Sequence, residues 1–142
     1  MIKNANFIDK LRNAGLRPTK QRLKICEVLF NREKTFHFTI NDLAKKISED
    51  LNEKISLATV YNTVHHFEKK GYLKEIAINS DKSYFDTNTS AHHHFYDEDT
   101  HELIDCHQND IDSINIKNNV TGKKVKSVEV LIKVASDNQN QN

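Results

Sequence analysis

Apolar positions recur at helical spacing through the first half of the chain and at every second position near its end. The sharpest stretch runs from Ile55 to Gly71. At about 100° per residue, Leu57, Val60, Val64 and Phe67 share one face with Tyr61 on its edge, while Ala58, Thr59, Asn62, His66, Lys69 and Lys70 cover the other. Ser56 offers an acceptor to the orphan N–H groups at the start, and Gly71 suits the left-handed residue that ends a helix. Upstream, Phe7, Ile8 and Leu11 mark a short helix that stops before Gly15. Leu16-Arg17-Pro18-Thr19 turns the chain, and Thr19 is placed to cap a helix over Lys20 to Phe30. A loop holding His37 follows. Thr39 and Asp42 form a capping box before Leu43, Ala44, Ile47 and Leu51, a third helical run.

After Gly71 the period becomes extended: Tyr72 to Ile78, a polar turn over Asn79 to Lys82, then Ser83 to Asp86. Helices followed by one hairpin predict a winged helix-turn-helix over residues 1–86, with Ser56 to Gly71 as its recognition helix. From residue 87, His92 to Tyr96 and Glu102 to Cys106 can pair as strands, Asn109 can cap a short helix carrying Ile111 and Ile114, and Val128, Val130, Ile132 and Val134 alternate strictly. The expected fold class is therefore α+β, a winged helix-turn-helix followed by a small α/β domain over 87–136. That second domain has little core of its own, so pairing with a second copy, as a homodimer, is the expected remedy. Residues 137–142 are polar and aperiodic, and a disordered tail is expected there.

Charge changes this picture. Residues 1–85 carry 16 Lys and Arg against 10 Asp and Glu, whereas 86–142 carry 5 against 10, so a net +6 sits beside a net −5. A basic first half suits double-stranded DNA, and an acidic second half suits a cation or a partner. The exposed face of this helix is small, hydrogen-bonding and cationic, which suits a major groove; a surface helix with a solvated charged face is the bland alternative. Only Cys26 and Cys106 occur, in no Cys-x-x-Cys pair, which argues against a disulfide scaffold or a structural zinc. No apolar stretch approaches the roughly 20 residues that span a bilayer, and no apolar signal segment opens the chain, so a cytoplasmic protein is expected.

His92-His93-His94 is the sharpest chemical signal. On an extended strand His92 and His94 point together and His93 points away. Asp86, Asp105 and His37 could complete a nitrogen and oxygen donor set, which suits Fe2+, Mn2+ or Zn2+ and not Cu+. Solvated surface histidines are the bland alternative, giving a constitutive DNA binder without metal response. A small metal-dependent hydrolase is a third reading. The chain has no His-Glu-x-x-His helix, no Gly-rich phosphate loop and no nucleophile elbow, so an enzyme is not expected.

Taken in order, AGLRPTKQR (Ala14–Arg22), His37 before TINDL, SLATVYNT (Ser56–Thr63), YFD (Tyr84–Asp86), HHH (His92–His94) and ELID (Glu102–Asp105) resemble the ferric uptake regulators over about residues 7–135. Asn62, the HHHFYDEDTHELID run and the missing cysteine pairs resemble the iron response regulator branch, dimeric regulators of iron and haem metabolism that respond to haem. The resemblance implies that Tyr61 contacts thymines, that Asn62 holds the base-reading place with Thr59 beside it, and that Arg17, next to Thr19, enters a narrow A/T-rich minor groove. It implies a sensing site of His37, Asp86, His92, His94 and Asp105 holding haem or a divalent metal. A second or haem site would use His93 and Asp112, with Ala91 where a histidine is usual. The structural zinc of the wider family should be missing.

Overall fold

The structure, a computed structural model, describes residues 2–137, with side chains from Asn6 onward, and the chain divides after Thr89 into two compact units. Apart from Asp137, the expected tail lies outside the described residues.

The first unit runs α1 (Ile2–Asn13), α2 (Lys20–Phe30), β1 (His37–Phe38), α3 (Ile40–Leu51), α4 (Leu57–Lys70), β2 (Lys74–Ala77) and β3 (Ser83–Asp86). Local chemistry sets each helix end. The Thr19 hydroxyl accepts from Arg22 N at 3.2 Å, and Pro18 just before it prevents α2 from starting earlier. At α3, Thr39 Oγ1 accepts from Asp42 N at 3.1 Å while Asp42 Oδ2 accepts from Thr39 N at 3.0 Å, a reciprocal capping box. Ser56 Oγ accepts from Thr59 N at 3.2 Å, and α4 closes at Gly71, whose φ of 91° lets Tyr72 N reach Phe67 O at 2.9 Å.

The apolar faces of these helices meet in one core, where Leu11, Ile25, Leu43, Ile47, Val60 and Phe67 are completely buried. Each contributes about 1.5–3 kcal/mol by leaving water. Leu57 departs from the expected core face: it is 52% exposed. It is the first residue of α4, and Ile55, two residues earlier and 6% exposed, enters the core instead, together with Val60 one turn in, as a hydrophobic staple does. His37 is likewise not in a loop. With Phe38 it forms β1, which adds to the wing to give an antiparallel sheet ordered β1-β3-β2, pairing His37 with Asp86 and Phe38 with Phe85.

The second unit holds β4 (His94–Asp97), β5 (Glu102–Asp105) and β6 (Leu131–Val134) in the order β5-β4-β6, antiparallel on one side and parallel on the other. A tight turn joins β4 to β5, in which Asp97 Oδ1 accepts from Asp99 N and Thr100 N, and His101 takes a φ of 61°. The expected helix after Asn109 does not form. His107 N donates to Asp110 Oδ2 at 2.7 Å and Asp110 N donates to His107 O at 3.0 Å, closing a turn that leads into irregular chain. Among the described residues this unit therefore contains strands only, and the chain as a whole remains α+β. Its buried residues are Tyr96, Leu103 and His94, while Ile116 and Val120 are 50% and 68% exposed.

Candidate metal centre and nucleic-acid interface

In the second unit His94 opens β4 and stands opposite Asp105 of β5. Its Nε2 lies 3.1 Å from Asp105 Oδ1, and His92 Nε2 approaches the same oxygen at 3.4 Å. The two rings are 4.2 Å apart, His94 is buried, and one ligand atom of each of the three residues lies within 4.8 Å of the others. His92 Nδ1 sits 2.7 Å from Ser90 O, which can only accept, so the ring donates there and in its neutral form carries its lone pair on Nε2. A proton or a metal cation held between these nitrogens and the Asp105 oxygen would be attracted to all three groups. Two imidazoles and one carboxylate fit a borderline divalent metal on these grounds, with Ser90 orienting the ligand from behind.

The first unit brings together the other expected donors. His37 and Asp86 face each other across β1 and β3, Asp86 is buried, and its Oδ1 accepts from Asn88 N at 2.8 Å. His93 and Asp112, the expected second site, share the wall of an open pocket of about 340 Å3 that also includes Cys106, His107 and Ile114. There His93 Nδ1 already accepts from Val130 N at 2.9 Å. Neither cysteine is a ready thiolate donor: burial pushes Cys26 up to about 12, and burial together with Asp110 and Asp105 raises Cys106.

The recognition-type helix α4 presents Tyr61, 55% exposed and stacked on His65 at 5.8 Å between ring centroids, an i,i+4 aromatic pair. Asn62 is half-buried and its carbonyl accepts from His66 Nδ1 at 2.8 Å, while the Thr59 hydroxyl accepts from Ser56 Oγ at 2.9 Å. Arg17 is exposed, and its carbonyl accepts from the Arg22 guanidinium at 3.0 Å. The Thr19 hydroxyl is engaged as the cap of α2. Sequence reasoning missed Ser90 and Val130, which act at the site through backbone atoms and so leave no side-chain signal.

No helix among the described residues is long and apolar enough to cross a membrane. Residues 13–134 match the model of the ferric uptake regulator family. The chain is 34% identical over 119 residues to the peroxide operon regulator of Bacillus subtilis, covering 83% of this chain and 80% of that protein. It is 41% identical over 83 residues to the ferric uptake regulation protein of Vibrio parahaemolyticus, a match that spans 58% of this chain and about half, 54%, of that relative. Among solved structures, the Vibrio cholerae ferric uptake regulator matches with a TM-score of 0.66 at 27% identity, covering 91% of this chain and 98% of that one. The chain thus belongs to the ferric uptake regulator family of metal-responsive, DNA-binding transcription regulators, which are not enzymes.

Proposed function

We propose that this protein is a cytoplasmic, iron- or haem-responsive regulator of the iron response regulator branch that binds A/T-rich operators as a homodimer. Its affinity for DNA is set by a guest held by His37, Asp86, His92, His94 and Asp105. The observation that carries this reading is the convergence of two histidine nitrogens on one Asp105 oxygen, a nitrogen and oxygen donor set that suits a divalent cation. His37 and Asp86, paired across one ladder, supply further nitrogen and oxygen donors, and only residues 87–91 separate Asp86 from His92. Fe2+, Mn2+ and Zn2+ suit such donors. A bound divalent ion would supply positive charge and fixed ligand angles at this point.

In that arrangement the ligands come from both units, so guest occupancy biases the angle between them and, in a dimer, the separation of the two α4 helices. Half-sites lie about one DNA turn apart, so that separation governs affinity. Tyr61, Asn62 and Thr59 meet bases, and Arg17 with Thr19 meets the adjoining backbone and minor groove. Haem held here would draw on the imidazoles of His92 or His94 and would need more room than an ion, and in this reading its binding would release DNA where a metal ion would secure it. Titration of Mn2+ and, separately, haem into an operator gel shift tests the assignment. Opposite shifts in affinity support it; no shift with either guest, at spectroscopically confirmed saturation, rejects it.

A second reading, response to peroxide, is favoured by the likeness to the peroxide operon regulator over most of both chains. It predicts that hydrogen peroxide abolishes operator binding by the Fe2+-loaded protein and spares the Mn2+-loaded one. Equal survival of both would exclude it.

A further inference from the structure

His93 stands between two of the proposed ligands, yet its ring is committed elsewhere. Its Nδ1 accepts from Val130 N at 2.9 Å. A backbone amide only donates, so the neutral ring keeps its proton on Nε2 and turns its lone pair to Val130. His92 is set the other way, with Nδ1 donating to Ser90 O and Nε2 turned to Asp105. Adjacent imidazoles thus hold opposite tautomers. One is prepared to ligate, and the other is occupied by backbone.

The main chain around His93 is tied on both sides. His93 O accepts from Cys106 N at 3.0 Å, and His94 N donates to Val130 O at 3.0 Å. Val130 is therefore bonded through its N–H to the ring of His93 and through its C=O to the amide of His94. These bonds continue the β5-β4-β6 pairing one residue beyond the start of β4, with a side chain taking the place of a backbone acceptor. To ligate a metal through Nε2, His93 would have to move its proton to Nδ1, where it would meet the Val130 N–H head-on.

We infer that His93 is a positioning residue and not a metal ligand: its ring latches the run into β6 onto the segment from which His92 and His94 reach one ion. This rests on the metal reading of His92 and His94, and it assigns the pocket beside His93 and Asp112 no cation of its own.

The test uses the full chain stripped of metal, Zn2+ as the probe, NMR of the histidine rings and amide exchange at Val130, with His93→Leu, which removes the acceptor, and His93→Gln, which can restore one. The expected result is an Nε2–H tautomer at His93 with and without Zn2+. In His93→Leu, Val130 should exchange faster and Zn2+ should bind about tenfold more weakly at unchanged stoichiometry, with part of the loss recovered in His93→Gln. Zn2+ ligation by His93, a lower stoichiometry in His93→Leu, or unchanged Val130 exchange and Zn2+ affinity in that variant would each overturn the inference. If His93→Leu fails to fold, the tautomer of the unaltered chain decides the matter. Zn2+ that leaves the His92 and His94 signals in place overturns the metal reading alone, and the Val130 exchange then still decides the latch.

Discussion

Cys26 is fully buried in α2 and burial lifts its thiol to about 12, whereas Cys106 is only partly covered, so the two differ in access more than in chemistry. A thiol-alkylating reagent at pH 8 should therefore modify Cys106 in the native chain and Cys26 only after denaturation, as read by peptide mass spectrometry. Asp99 shows the opposite direction of shift. The hydroxyl and backbone N–H of Ser136 both donate to its Oδ2 and hold its carboxyl below the ordinary 3.8. A depressed folded value means that this tie stabilises the fold above pH 3.8 and is lost as pH falls through the lowered value. Ser136→Ala should return the Asp99 titration, followed by NMR, toward 3.8. At this scale the approach of His92 to His94 was expected from the two-residue repeat of extended backbone, and Asp105 stands opposite His94 across β4 and β5. Ser90 and Val130 were not legible, because backbone atoms carry no residue identity.

The starts of α2, α3 and α4 and the end of α4 could be read from single residues, since Thr19, Thr39, Ser56 and Gly71 each satisfy a local backbone need. What periodicity could not settle was the first turn of α4, where Ile55 displaces Leu57 from the core although both fit the apolar pattern. Two-residue β1 has no period to detect, and Asp110 draws the chain after Asn109 into a turn before a helix can nucleate. Two faces of α4 separate stability from recognition. Phe67→Ala should cost about 3–5 kcal/mol of folding stability by chemical denaturation, because the ring is completely buried. Tyr61→Ala, at an exposed position, should leave the denaturation midpoint in place and weaken operator binding by about 1–3 kcal/mol. Ser56→Ala removes the cap and should cost about 1 kcal/mol of stability.

Across the molecule, the first unit buries an ample core among its helices, while the second leaves Ile116 and Val120 exposed and has few buried residues of its own. The sequence showed this imbalance through its charge split and its sparse apolar residues after 87, and a unit so built gains most from a second copy. The family assignment supplies DNA binding and metal response, and the proposal places the start of that response at the second unit's histidines, which converge on Asp105. Coupling between that place and α4 is a free-energy difference that affinity measurements can read. The most direct measurement is operator affinity, by fluorescence anisotropy, of the chain and of its His92→Ala/His94→Ala variant, each metal-free and saturated with Mn2+. The account predicts that Mn2+ changes the affinity of the unaltered chain by about tenfold or more and does nothing to the variant. An Mn2+ response of the same size in both proteins, or in neither, would contradict it.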